Sequence, residues 1–106
     1  MIMTNTEFIP GMKITKHYGV VSGSTVRAKD ALKDLGASLK NFVGGELKAY
    51  TELLEESRKE AIERMQKQAQ QLGANAVINV RMATSSITAG AAEIYVYGTA
   101  VSAQEQ

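Results

Sequence analysis

The chain has 106 residues, 44% of them hydrophobic and 22% charged, with 12 Lys plus Arg against 11 Asp plus Glu and a net charge of +1. That length and balance predict one globular domain over residues 1–106, and so small a charge leaves no footprint for nucleic acid or an anionic membrane. Cys is absent and His occurs once, which removes disulfides, thiol nucleophiles and thiolate metal sites together. MIMTNTEF lacks the basic flank and apolar stretch of a signal peptide, and no apolar run reaches the roughly 18 residues of a membrane span. A cytoplasmic, soluble protein is the expectation.

The first punctuation is Ile9-Pro10-Gly11-Met12. Pro presets one backbone angle and Gly accepts a positive φ, so a type II turn is predicted. Ile2 and Met3 before it and Ile14 to Val21 after it are read as a hairpin. Ser22-Gly23-Ser24-Thr25 then reads as the turn leaving the second strand.

Beyond it the period changes. Ala28, Leu32, Leu35, Leu39 and Phe42 are spaced 4, 3, 4, 3, which draws one apolar stripe on a short helix. Asp30 is placed to cap its start, and Gly44-Gly45 to end it. A long helix follows from Glu46 to Leu72, with Leu47, Tyr50, Leu54, Ala61, Met65, Ala69 and Leu72 as its buried stripe. Opposite charges four apart, from Glu55–Lys59 to Glu63–Lys67, mark its solvent side. Gly73 closes it. At 1.5 Å per residue this helix is about 40 Å long, more than so small a domain needs.

Two strands finish the chain. In residues 75–82, Ala76, Ile78, Val80 and Met82 share a wholly apolar face, and residues 84–90 read as the hairpin connection. From Ala91 to Ala103, Ala92, Ile94, Val96, Gly98 and Ala100 form one face; Glu93, Tyr95, Tyr97, Thr99 and Val101 form the other. The first suits a helix. The second suits a partner subunit. The predicted class is α+β: an antiparallel sheet carrying one short and one long helix on one face, in the order β-β-α-α-β-β.

The blocks VVSGSTVRAKD, GGELKAYTELLEESRKEAIERM, LGANAVINVRMATSS and YGTAV, taken together, resemble the YbjQ-like family of small uncharacterised bacterial proteins, which carries a heavy-metal-binding label. The resemblance runs from about Thr4 to Val101. It implies a subunit that assembles into a ring-shaped homo-oligomer, a pentamer, and it brings no catalytic residues.

Soft metals want thiolate or imidazole ligands, and a structural zinc site needs four ligands. His17 is the sole imidazole, so one chain offers no metal site, and no cofactor is expected. Ring symmetry gathering His17 from several subunits is the one route to a metal. Ser22, Ser24, Thr25 and Arg27 are the candidate anion-binding set. SGSTVRAK lacks the Walker spacing, however, and its hydroxyls serve equally to satisfy a connection's backbone donors. Without a second His, Ser57, Ser85 and Ser86 build no hydrolase triad. The expectation is a non-enzymatic homo-oligomeric module that binds a small ligand or ion. The alternative is a purely structural or interaction protein with no ligand.

Overall fold

The computed structural model describes residues 1–27, 45–88 and 91–106. Its elements are strand β1 (Ile2–Met3), strand β2 (Met12–Arg27), helix α1 (Gly45–Leu72), strand β3 (Ala76–Thr88) and strand β4 (Ala91–Glu105). The strands form one mixed sheet in the order β1-β3-β4-β2, and the class is α+β. The Pro10-Gly11 turn forms as expected: Gly11 has φ 75 and the Met12 N–H donates to the Ile9 carbonyl at 3.0 Å. The predicted short helix, its Asp30 cap and Gly44 lie outside the described residues, while Gly45 opens α1.

Several expectations are corrected. β1 does not pair with β2; it runs parallel to β3, Ile2 opposite Ala76 and Met3 opposite Val77. The next residues keep to β3, with the Thr4 N–H donating to the Val77 carbonyl and the Asn79 N–H to the Thr6 carbonyl. This path brings Ile9 under the sheet, where it buries against Ala76, Ile78, Val101 and Ala103. That small second core forms on the face away from the helix.

Ser22-Gly23-Ser24-Thr25 is not a turn. β2 continues through it to Arg27, opposite β4 at every step from Gly19 to Arg27. The residues 84–90 expected as a connection are strand as far as Thr88, with Thr88 opposite Ala91. Polar residues suit the start of that stretch, where Thr84 and Ser85 are exposed.

In β3 the expected face is split. The register shifts between Ile78 and Arg81, and Asn79 adopts φ 54, as in a β-bulge. Ala76 and Ile78 therefore turn to the second core, while Val77 and Val80 pack towards the helix. Met82 is left 44% exposed.

α1 lies on β2 and β4, and its 28 residues give a length of about 42 Å. Ala61, Met65 and Ala69 are fully buried as predicted; Leu72 is exposed, and Ser57 is buried where no polar residue was expected. The helix ends in a Schellman motif: the Gly73 N–H donates to the Gln70 carbonyl and the Ala74 N–H to the Ala69 carbonyl. Gly73 takes the left-handed φ of 93 that this ending requires.

Two stretches within the blocks that carry the resemblance, LGANAV and GTAV, have local structural reasons. In LGANAV, Gly73 stops the helix, Ala74 enters the core and Asn75 grips β4. Its Nδ2 donates to the Ala103 carbonyl and its Oδ1 accepts from the Ala103 N–H, both at 2.8 Å. A side-chain amide here stands in for a strand residue. In GTAV, Gly98 leaves room for the β3 bulge, since a Cβ there would meet Val77 at 2.7 Å.

Candidate functional site

β2 carries every residue singled out for binding. A strand turns successive side chains to opposite faces, so Ser22 and Ser24 belong to the face away from α1, and Gly23 and Thr25 to the face beneath it. Thr25 is 2% exposed and its Oγ1 donates to the Ser57 carbonyl at 3.2 Å. The Ser57 hydroxyl donates back along the helix to the Leu53 carbonyl. Arg27 ends β2, and its side chain lies outside the described residues.

The backbone groups of Ser22 and Ser24 point off the outer edge of β2 and are met by the helix. The Ser22 N–H donates to Gln68 Oε1 at 2.7 Å. Arg64 Nη1 donates to the Ser24 carbonyl, and Nη2 pairs with Glu60, one of the predicted i,i+4 pairs. An extended backbone does not converge its N–H groups on one point, as a phosphate cradle does. What it forms is a strand edge closed by helix side chains, a standard protection against unwanted pairing.

His17 is exposed on β2 opposite Val101, just before the register shift that admits Tyr18. Tyr18 turns to the helix side, its hydroxyl 2.8 Å from Ser102 Oγ and donating to the Gly73 carbonyl at 3.3 Å. Among the described residues no three His, Cys, Asp or Glu side chains converge as metal ligands. The donor set of one chain therefore does not fit a soft metal. His17→Ala is expected to leave stoichiometric zinc, nickel or copper uptake unchanged, as measured by native mass spectrometry. Loss of a bound metal on that substitution would reverse the assignment.

A shallow cleft on α1 is lined by Glu52, Glu55, Glu56 and Lys59. Its carboxylates alternate with a cation on an exposed helix face, an arrangement of solvated charges.

The sheet face opposite the helix is divided. Its lower half is closed by Ile9. Its upper half carries Val20, Ser22, Ser24 and Val26 from β2, with Tyr95, Tyr97 and Thr99 opposite them on β4. The Tyr95 and Tyr97 rings stack with centroids 5.4 Å apart. Val20 is 74%, Val26 54% and Tyr97 37% exposed. The sequence reading places the two tyrosines on one face of their strand; it misses Val26 because it takes Ser22 to Thr25 as a turn, whereas β2 runs on to Arg27.

A family model described as "Putative heavy-metal-binding" matches residues 1–104. The chain belongs to that family. The YbjQ-like resemblance read from its sequence blocks is thereby borne out. A UPF0145 protein of Hahella chejuensis is 63% identical over 101 residues, covering 95% of this chain and 97% of the relative. A UPF0145 protein of Archaeoglobus fulgidus is 54% identical over 101 residues, covering 95% and 94%. Among solved structures, a protein of unknown function of the DUF74 family from Pediococcus pentosaceus superposes with a TM-score of 0.65 at 16% identity, over 98% of both chains. That likeness is one of fold. None of these names states a reaction, and no described helix is long and apolar enough to cross a membrane.

Proposed function

We propose that the protein is a non-enzymatic, cytoplasmic, homo-oligomeric module whose working form is a ring, with five subunits as the number the family resemblance implies. The observation that supports it is the open upper half of the sheet, where Val20, Val26 and the stacked Tyr95 and Tyr97 meet water. Monomeric proteins seldom leave apolar strand faces of that kind uncovered. Identical subunits packed on one another remove the patch from every copy at once. Of the candidate anion set Ser22, Ser24, Thr25 and Arg27, Ser22 and Ser24 alone are known to share the open face, since Thr25 is buried beneath α1, so such a ring would have to hold a small anion by those two serines from neighbouring subunits together. His17 gathered about an axis is the one arrangement through which it would take a metal.

Light scattering coupled to size exclusion at micromolar concentration tests the reading. The expected mass is a multiple of the 11.4 kDa chain; a value near that of one chain overturns the proposal. Tyr97→Asp places a charge in the middle of the patch and is expected to shift the mass to that of one chain. The second reading, an assembly that binds nothing, is separated by native mass spectrometry with a panel of metals and anions. A stoichiometric adduct favours the binding module, and a bare oligomer favours the structural one.

A further inference from the structure

We propose that residues 81–86 of β3 are completed by a strand from a second copy of this chain, paired along the outer edge. The inference rests on the homo-oligomeric reading and names the contact that makes it.

The geometry of this edge follows from the ladders. Ser22, whose N–H is taken by Gln68 on the outer side, stands opposite Tyr97. Tyr97 therefore turns its own N–H and C=O towards its β3 partner, Arg81. Alternation then directs the N–H and C=O of Met82 and Thr84 away from β4. The Val80 N–H agrees with this parity, since it donates to the Thr4 carbonyl on the same outer side.

The chain's own N-terminal segment stops there. Its last bonds to β3 are at Asn79 and Val80, and Arg81 Nη1 reaches across to the Asn5 carbonyl at 2.7 Å as the segments part. Beyond that point Arg81, Met82, Ala83, Thr84 and Ser85 are all exposed. An edge strand ordinarily buries at least one face. This one shows water both faces and an edge.

The two edges of the sheet are treated differently. β2 carries Lys13 and Lys16 and is closed at Ser22 and Ser24 by Gln68 and Arg64. β3 has no charged residue from Met82 through Ala92, and no proline. Charges, prolines and covering side chains are the devices that keep an edge from pairing. β2 has two of them; β3 has the single charge of Arg81, which is turned back to the Asn5 carbonyl, and none from Met82 to Thr88.

The occupant is a second copy because the edge continues the open face on which the homo-oligomeric reading rests: Arg81 stands opposite Tyr97 and Ala83 opposite Tyr95, so a copy that covers the tyrosines also reaches this edge.

Hydrogen exchange on the assembled protein tests the contact. The Met82 and Thr84 amides are expected to exchange about 100-fold more slowly in the oligomer than in the Tyr97→Asp monomer. Thr84→Pro, which removes an outward N–H, and Thr84→Lys, which keeps it and adds a charge, are both expected to lower the assembled mass. Fast exchange at Met82 and Thr84 in a protein of oligomeric mass overturns the junction and leaves the oligomer standing. A wild-type mass of one chain overturns both. Protection that persists undiminished in the monomeric variant places a segment of the same chain on the edge, which also overturns the proposal. So does full retention of assembly by both Thr84 variants.

Discussion

Gly23→Ala is expected to destabilise the fold by about 3 kcal/mol or more, the upper range of overpacking. A Cβ on Gly23 would lie 2.1 Å from the Ala61 carbonyl oxygen and 2.6 Å from the Met65 backbone nitrogen. Both are helix backbone, so no side chain can swing aside, and α1 must lift off β2 as a unit. The closeness has its counterpart on the helix, where Ser57, Ala61 and Ala69 are small and fully buried. Lifting the helix would also stretch the Thr25 bond to Ser57 and the Arg64 and Gln68 bonds to the β2 edge. Urea unfolding of the variant measures the loss. A midpoint within error of the parent's would show that the helix is not held at this distance.

Asn75→Ala is expected to cost about 2 kcal/mol. Two hydrogen bonds to Ala103 disappear together, and both backbone groups of a 6% exposed residue lose their partner. Asn75→Asp gives a sharper reading. An ionised carboxylate still accepts from the Ala103 N–H, but its second oxygen faces the Ala103 carbonyl with no proton to give. Protonation restores the donor, so the folded variant holds its proton more tightly than the unfolded chain does. The deficit relative to the parent should therefore shrink as pH falls and grow as pH rises through the folded-state titration. Thermal melts across the acid range check the sign; a deficit that does not change with pH would mean Asn75 acts by shape alone.

The long helix was legible because its signals are local. The stripe through Leu54, Ala61, Met65 and Ala69 and the stop at Gly73 are written within one stretch of chain. The Ile9–Met12 turn and the helix-facing side of β4 were legible for the same reason. The strand through Ser22-Gly23-Ser24-Thr25 was not, because the residues that favour turns elsewhere are chosen here by the helix above. Gly23 makes room for it, and Thr25 hydrogen-bonds to it. The β1–β3 pairing joins residues more than 70 positions apart, and no periodicity reports such a partner. The Asn79 bulge exchanged the inward and outward residues of β3, which simple alternation cannot foresee. As for the candidate site, sequence placed Tyr95 and Tyr97 on one face. It did not show that β2 closes its own edge with Gln68 and Arg64, since those side chains lie some 40 residues further along the chain.

The register of β2 has a kinetic side. Its pairing with β4 runs from Arg27 opposite Ala92 to Met12 opposite Glu105. Each contact closes a loop of about 65 to 93 residues, whose entropy must be overcome before the ladder repays it. The β3–β4 hairpin and α1 are short-range and should organise first. β2 then docks last, onto a β4 edge that has been waiting unpaired. During that interval the flank of β4 is the chain's most exposed template for another molecule's strand, so refolding yield should fall with protein concentration more steeply than native stability alone would suggest.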